Sequence, residues 1–208
     1  MDEMMERAGE VTRRKGYDNL GFIRSADDMV ILVHGHPKED RLLQKVQKRL
    51  KEEMDYLEVE MNMEKTKVVD LKKGGSFSFL GFDIRLNKNR EGKTYVSKTP
   101  RKKKQQEIGK RVKSVIKANW NKPLREVIQA VNSVIRGWVN YFRIGNSNSA
   151  FNKVRDYIER KVRKFVMRRK KLKGFGWKRW SREVIYQEWG LYNDYRIQYL
   201  HPKAAPCR

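Results

Sequence analysis

The chain has 208 residues, of which 49 are Lys or Arg and 25 are Asp or Glu, so its formal net charge is +24. This excess favours a polyanionic partner, with nucleic acid first and an anionic membrane surface second. No apolar run approaches the roughly 20 residues that cross a bilayer, and the single cysteine excludes an internal disulfide or a zinc site built from cysteine pairs. Residues 1–10 lack the pattern of a signal peptide. We therefore expect a soluble cytoplasmic protein without a membrane segment.

The sequence of the first part of the chain predicts a β-hairpin followed by a helix. Residues 2–9 favour a short helix, and residues 19–33 favour two apolar strands that meet at a tight turn around Ala26, Asp27 and Asp28. Beyond Pro37, apolar residues recur at spacings of three and four, which predicts an amphipathic helix. Its apolar positions are Leu42, Leu43, Val46, Leu50, Met54 and Leu57.

More strand patterns follow up to about residue 98. Residues 68–71 predict a strand that ends at Gly74 and Gly75. Residues 77–86 and 93–97 predict a hairpin around the turn-rich segment 87–92. We expect the portion up to residue 98 to be mixed α and β.

After Pro100 the pattern becomes helical to the end of the chain. Three apolar stripes keep helical spacing, and Pro123 is expected in the first turn of the second helix. The stripes are Ile108, Val112, Val115 and Ile116; then Leu124, Val127, Ile128, Val131, Ile135, Trp138, Val139 and Phe142; then Phe151, Val154, Ile158, Val162 and Phe165. The sequence therefore predicts an α+β fold with two domains, residues 1–98 and residues 99–208.

Asp27 and Asp28 lie side by side at the tip of the predicted hairpin. Phosphoryl transfer to a growing nucleic acid requires carboxylates that hold two Mg²⁺ ions about 4 Å apart, and a tight turn on regular strands can present such groups rigidly. The alternative is that Asp is simply a favoured turn residue.

Five segments of the chain resemble motifs of known proteins. Residues 22–31, Phe-Ile-Arg-Ser-Ala-Asp-Asp-Met-Val-Ile, resemble the catalytic hairpin of reverse transcriptases. Residues 62–67 resemble the Glu-Lys-Thr segment of these proteins, and residues 77–82 resemble their Phe-Leu-Gly-Phe strand. Residues 131–142, Val-Asn-Ser-Val-Ile-Arg-Gly-Trp-Val-Asn-Tyr-Phe, resemble the maturase signature, and residues 190–196 are similar to the close of bacterial members. Together the five segments resemble the reverse transcriptase and maturase proteins of group II introns.

The resemblance implies a partial reverse-transcriptase palm in residues 1–98 and a helical thumb and maturase-specific region in residues 99–208. Asp27 and Asp28 would be catalytic ligands of a two-metal Mg²⁺ site that is incomplete in this chain. Residues close to primer and template would be Ser25, Lys65 and Gly81. For Gly81 the alternative is an ordinary strand bulge.

Basic residues of the second half are expected to contact RNA phosphates. The set comprises Arg101, Lys102, Lys103, Lys104, Lys110, Arg111, Lys113, Arg136, Asn140, Arg163, Lys164, Arg168, Arg169, Lys170 and Lys171. The alternative is that these charge runs are only solvated faces. Trp138 and Phe142 lie on an apolar stripe, so we expect them in the core, with Arg136 and Asn140 on the surface.

Two departures from the family limit the predicted chemistry. Ser25 stands where the family has an aromatic residue near the primer end, and the fingers and third metal-binding Asp would lie upstream of the hairpin. We therefore expect an RNA-binding fragment that is inactive alone as an RNA-directed DNA polymerase. The alternatives are a split reverse transcriptase completed by a separate fingers-palm chain, and an inactive remnant of a mobile element. Expected partners are group II intron RNA, a primer-template and that complementing chain, in a bacterial cytoplasm.

Overall fold

The computed structural model describes residues 7, 10, 20–26, 28–34, 40–60, 62, 64 and 66–198. The helix predicted over residues 2–9 lies outside these residues except for Arg7. The chain divides into two compact units, Met1–Val69 and Asp70–Arg208. Both helices and antiparallel strands are present, which is compatible with the predicted α+β class.

The first unit contains the predicted hairpin and amphipathic helix. Strand β1 (Leu20–Ser25) pairs antiparallel with β2 (Asp28–Val33), and helix α1 spans Asp40–Tyr56. The apolar face of the helix lies against one face of the hairpin, because Leu20, Leu50 and Met54 form a buried cluster. These two predicted elements are confirmed.

A three-stranded antiparallel sheet opens the second unit. It consists of β3 (Ser76–Phe79), β4 (Phe82–Lys88) and β5 (Thr94–Pro100) in that order. The continuous strand predicted over residues 77–86 is wrong, because Leu80 and Gly81 have φ of 47° and 78° and form a two-residue turn. Two positive φ values in succession are typical of the type I′ turn that joins tight hairpins.

The strand predicted at residues 68–71 is also wrong. Residues 66–70 belong to no strand, and residues 71–74 form a turn. The Asp70 carboxylate accepts hydrogen bonds from the backbone N–H groups of Lys72 and Lys73, at 2.9 and 3.2 Å. An Asp side chain that binds the following backbone in this way favours a turn over an extended strand.

Three long helices form the core of the second unit: α2 (Lys102–Ala118), α3 (Leu124–Phe142) and α4 (Asn148–Arg169). Each contributes its predicted apolar stripe to one buried cluster, and the residues at its centre include Val112, Val131 and Ile158 with no exposed surface. Pro123 directly precedes α3 instead of lying in its first turn.

The prediction that the chain stays helical to its end is wrong beyond residue 169. Residues 170–198 form turns and irregular segments, apart from a helical turn at residues 182–183 that continues into the π-helix Val184–Glu188. Gly174, Gly176 and Gly190 all adopt positive φ there, which interrupts regular helix. Among the described residues, no helix is both long and apolar enough to cross a bilayer.

The three-stranded sheet belongs to the same unit as the helices. Phe82 of β4 lies in the helical core, and its ring contacts the ring of Phe142 at a centroid distance of 5.0 Å. The Asn146 backbone N–H donates to the Lys98 carbonyl, and the Lys98 N–H donates to the Asn146 side chain. The boundary of the compact units therefore falls between Val69 and Asp70, not at the change of composition near residue 98.

Candidate nucleic-acid interface

The hairpin with the paired aspartates is formed, but its described part does not hold a metal site. Ser25, the last residue of β1, pairs with Asp28, the first residue of β2, and Asp28 is exposed. Asp27 lies outside the described residues. Within the described ranges, no three His, Cys, Asp or Glu side chains come together to bind a metal ion. Because Asp27 is outside this range, the described side chains do not test the implied Mg²⁺ pair, which stays a prediction, and no catalytic step is derived from them.

The described residues among those predicted near primer and template belong to different compact units. Ser25 belongs to the first unit, Gly81 belongs to the second, and Lys65 lies outside the described residues. Gly81 occupies the turn between β3 and β4, so the strand-bulge alternative is wrong, and its proximity to primer and template stays a prediction. This turn is bound within its own unit, because Tyr141 Oη donates to the Leu80 carbonyl at 2.9 Å and the Arg101 N–H donates to the Gly81 carbonyl at 3.0 Å.

Helix α2 presents a strongly basic surface. Its only acidic residue, Glu107, accepts a hydrogen bond from Lys104 at 2.8 Å. That bond lowers the pKa of Glu107; desolvation opposes the shift, and the nearby charges of Lys103 and Lys110 add to it. All of the basic residues at this helix are exposed: Arg101, Lys102, Lys103, Lys104, Lys110, Arg111, Lys113 and Lys117. One carboxylate cannot neutralise this surface, so it carries a net positive charge.

Three lysines of α2 form a row, because Lys103, Lys110 and Lys117 recur every seven residues on the side opposite the buried Ile108, Val112 and Ile116. Seven residues correspond to about two helical turns, so successive members of this α2 lysine row lie about 10 Å apart along the axis. A row of exposed cations at such intervals can follow the phosphates of a nucleic-acid strand.

Arg163 does not lie on the surface, and its prediction as an RNA contact is wrong. Only 1% of the residue is exposed. Its Nη1 lies 3.2 Å from the Glu159 carboxylate, and its Nε donates to the Trp180 carbonyl at 3.0 Å. The guanidinium also lies over the Trp177 ring, 4.0 Å from its centroid. The residue therefore binds the segment after α4 to the helix.

Glu159 is the centre of this buried network. Tyr186 donates a hydrogen bond of 2.6 Å to it, and the Arg182 Nε lies 3.2 Å from both carboxylate oxygens. Burial raises the pKa of Glu159, but the hydrogen bonds from Tyr186, Arg182 and Arg163 outweigh it, so the pKa is lowered overall. The carboxylate is therefore charged at neutral pH, and its role is structural.

The remaining predicted basic residues in and just after α4 divide into two groups. Lys164 lies over the Phe175 ring, Lys170 lies over the Trp180 ring, and Arg169 donates to the Lys122 carbonyl at 2.7 Å. Arg168 and Lys171 are exposed, and within the described part of the chain neither makes an ion pair or a side-chain hydrogen bond. Some of these basic residues therefore make contacts within the second unit, whereas Arg168 and Lys171 face solvent.

The maturase-like segment of α3 is arranged as predicted. Phe142 is buried, Trp138 is partly buried against the core, and Arg136 and Asn140 are exposed. The Arg136 guanidinium lies over the Tyr192 ring at 5.8 Å, which places it beside the second motif, residues 190–196. The core prediction for Phe142 is confirmed.

The two motifs of the second unit contact each other through Asn132. Its Nδ2 donates to the Gly190 carbonyl at 2.7 Å, and its Oδ1 accepts from the Tyr192 N–H at 2.8 Å. The side chain is not among the predicted site residues. No spacing signal distinguishes it from Ser133 and Asn140, the other polar residues of that motif.

Sequence reasoning also missed two exposed aromatic residues after α4. Phe175 and Trp177 are 50% and 49% exposed, among Lys173, Lys178 and Arg179. The signal that could have identified them is the alternation of basic and aromatic residues in segment 170–180, Lys-Lys-Leu-Lys-Gly-Phe-Gly-Trp-Lys-Arg-Trp.

Residues 105–184 match the family model described as "Group II intron, maturase-specific domain". The matched range covers nearly all of α2, all of α3 and α4, and the basic segment that follows. A comparison with curated proteins gave no match. The family match supports the interpretation of the C-terminal part as that of a group II intron maturase, a class involved in intron splicing and mobility. The hairpin with Asp27 and Asp28 lies outside the matched range.

Proposed function

We propose that the chain binds group II intron RNA through the basic surface of its second unit and thereby assists splicing or mobility of the intron. The observation that carries this proposal is the exposed α2 lysine row, of which Lys110 and Lys117 lie within the range that matches the maturase-specific domain. The intron RNA is the partner that this domain implies, and the charge of the surface is complementary to it.

The charges available on this surface suffice for binding that depends strongly on salt. Each phosphate neutralised by Lys or Arg releases condensed counterions, so the logarithm of the binding constant falls with the logarithm of salt concentration by about 0.7 to 0.9 per contact. The face of α2 opposite the lysine row packs in the hydrophobic core, since Ile108, Val112 and Ile116 are buried. The lysines are therefore presented by a rigid element.

The test compares the full chain with a variant of the α2 lysine row, Lys103→Gln, Lys110→Gln and Lys117→Gln. Binding to a labelled group II intron transcript is measured from about 50 to 300 mM salt. We expect the triple variant to reduce the slope of the salt dependence by about 2 to 3. Splicing of the same transcript is followed at a low Mg²⁺ concentration, where the RNA alone reacts slowly.

A matched control removes the same charge from another 17-residue helix. Lys45→Gln, Lys48→Gln and Lys51→Gln change exposed residues of α1 in the first unit. If both triple variants change affinity and slope equally, only total charge matters and the assignment to α2 is wrong. If the unaltered chain neither binds the transcript nor speeds its splicing, the proposed function is wrong.

A second candidate function is that of a reverse transcriptase completed by a separate fingers-palm chain. The observation in its favour is the hairpin register, in which Ser25 pairs with Asp28 and Ala26 begins the turn with a φ of 51°. In this proposal residues 1–98 are part of a palm, residues 99–208 contain thumb and maturase regions, and Asp27 and Asp28 bind Mg²⁺.

Mg²⁺-dependent primer extension on an RNA template tests this candidate. The chain is assayed alone and with a supplied fingers-palm fragment, with Asp27→Asn and Asp28→Asn together as the control. Extension only in the mixture, abolished by the double substitution, would establish it. No extension in either case would leave RNA binding as the function of the chain.

A further inference from the structure

The segment after α4 presents two aromatic rings amid positive charge. Phe175 and Trp177 are each about half exposed, and Lys173, Lys178 and Arg179 around them are exposed. Large aromatic side chains are normally buried, because their exposure to water is unfavourable. Two such rings within three residues therefore indicate a binding surface.

Each ring is covered on one face by a cation from α4. The Lys164 ammonium lies 5.4 Å from the centroid of the Phe175 ring, and the Arg163 guanidinium lies 4.0 Å from that of Trp177. Arg163 is itself held by Glu159 and by the Trp180 carbonyl. A planar ring with one supported face and half of its surface exposed offers the other face to a flat ligand.

Close packing fixes the backbone between the two rings. Gly176 has a φ of 79°, and a Cβ atom there would lie 2.9 Å from Trp180 Cδ1 and 3.0 Å from Met167 Cγ. The Trp180 N–H donates to the Gly176 carbonyl at 2.9 Å, and the Leu172 N–H donates to the Met167 carbonyl at 2.8 Å. The rings are therefore presented by an anchored turn, so little conformational entropy is lost on binding.

We propose that Phe175 and Trp177 form a stacking surface for unpaired bases of single-stranded RNA, with Lys173, Lys178 and Arg179 as phosphate contacts. The inference rests on the proposed function and names the form of RNA that this part of the chain binds. Bases of a duplex already stack on each other, whereas unpaired bases can stack on aromatic side chains. The positive charge around the rings is complementary to the phosphates that accompany each base.

The test uses the full chain with three RNA ligands of equal length: a single strand of mixed sequence, a blunt duplex, and an abasic strand that retains ribose and phosphate. We expect Phe175→Leu, which keeps apolar bulk without a π-face, and Trp177→Ala to weaken binding to the single strand by roughly 5- to 150-fold each. Binding to the duplex and to the abasic strand should stay unchanged. Trp177→Phe should restore most of the affinity of Trp177→Ala.

Two controls separate stacking from charge and from misfolding. Tyr95→Ala removes an aromatic residue on β5 that is 43% exposed and should leave single-strand binding unchanged. Lys178→Gln should weaken binding to all three ligands. Thermal unfolding of each variant shows whether the fold is retained, and Phe175→Leu decides the question if Trp177→Ala unfolds.

The outcomes distinguish this inference from the proposed function. If the unaltered chain binds none of the RNA ligands, the proposed function itself fails. If it binds them but Phe175→Leu and Trp177→Phe bind all three as well as the unaltered chain does, and Trp177→Ala loses no more on the single strand than on the duplex, the stacking surface is wrong while RNA binding stands.

Discussion

At the scale of single residues, Arg163 shows how burial changes the role of a charged side chain. Its guanidinium has partners on three sides: Glu159, the Trp180 carbonyl and the Trp177 ring. Transfer of an unpaired charge to a protein interior is costly, whereas a buried pair with full hydrogen bonding is tolerated. Removal of one member therefore destabilises more than the loss of a surface ion pair.

Arg163→Met is expected to lower the free energy of unfolding by about 3 kcal/mol, near the lower end for a broken buried pair. Arg182 and Tyr186 still hydrogen-bond to Glu159 in this variant, which limits the loss. Urea unfolding followed by tryptophan fluorescence measures it. Lys153→Met on the exposed face of α4 is the control and should change stability by less than about 0.5 kcal/mol. Equal stability of the two variants, with RNA affinity lost only in Arg163→Met, would contradict the structural role.

Gly145 is required by the approach of the α3–α4 loop to the sheet. A Cβ atom at this position would lie 2.6 Å from the Lys98 carbonyl oxygen and 2.8 Å from Phe82 Cε1. Neither neighbour can move freely, because the Lys98 carbonyl accepts a hydrogen bond from Asn146 and Phe82 lies in the core.

We expect Gly145→Ala to destabilise the second unit by about 1–3 kcal/mol through overpacking. Gly137→Ala is a matched control for which we expect a stability change of the opposite sign. A Cβ atom at this position, within α3, would meet no atom within 4 Å. Alanine is favoured over glycine in a helix by about 0.5–1 kcal/mol, so this variant should be more stable. Denaturant midpoints that shift in the same direction for both substitutions would contradict the packing described.

At the scale of elements, α3 organises the segments around it. At its end Tyr141 binds the β3–β4 turn, and at its middle Asn132 binds the segment that follows the π-helix. Arg143, just beyond the helix, donates to the Tyr192 hydroxyl at 3.2 Å and pairs with Asp194. Burial raises the pKa of Tyr192, so its hydroxyl stays protonated over the physiological range. Residues 190–198 are therefore held by polar contacts to one helix.

Asn132→Ala should release residues 190–198 from α3. The substitution leaves the Gly190 carbonyl and the Tyr192 N–H without their partner, at a cost of about 1–3 kcal/mol. Hydrogen exchange measured by mass spectrometry should then show faster exchange in peptides that cover residues 190–198, and chymotrypsin should cleave there sooner. Ser133→Ala, an exposed neighbour, is the control. Unchanged exchange in Asn132→Ala would show that the ring contacts of Tyr192 and Tyr195 alone suffice.

At the scale of the whole molecule, the described residues of the two compact units form buried clusters of different size. The buried cluster of the first unit has 3 described residues, whereas that of the second has 18. Since buried apolar area is the main source of stability, the first unit should be the weaker of the two. Its hairpin also exposes Ile23 and Leu32 on the face away from α1.

The first unit is expected to unfold at a lower urea concentration than the second. All five tryptophans lie in the second unit, at positions 120, 138, 177, 180 and 189, so their fluorescence follows that unit alone. Far-ultraviolet circular dichroism follows both units and should begin to change earlier. Transitions that coincide by the two methods would indicate a single cooperative unit.

Local patterns were sufficient for most of the regular structure. The α1, α2, α3 and α4 stripes and the β1–β2 hairpin all follow from apolar spacing within a few turns or residues of each other. The prediction of strands failed at two tight turns, because the spacing of apolar residues does not reveal a turn. Asp70 closes a turn where a strand was expected, and Leu80 with Gly81 reverses a strand that looked continuous.

The positive charge of the candidate site could be predicted from the sequence, but the contacts of its side chains could not. Exposure of the basic residues on α2 follows from the amphipathic pattern of that helix, because they alternate with its buried stripe. The same reasoning placed Arg163 on the surface, since nothing adjacent to it along the chain reveals Glu159 and Trp180 as partners. The aromatic residues at 175 and 177 were overlooked because their exposure is decided by contacts with α4.

The sequence by itself determined the excess of positive charge, the helical second half with its maturase-like motif, and the strand-turn-strand pattern around Asp27 and Asp28. These properties depend on composition or on residues that are neighbours along the chain. Only the tertiary structure decided that Arg163 is buried, that the three-stranded sheet packs with the helices, and that Phe175 and Trp177 rest on Lys164 and Arg163 respectively. The reason is that burial and pairing arise between segments far apart in sequence, where spacing carries no information.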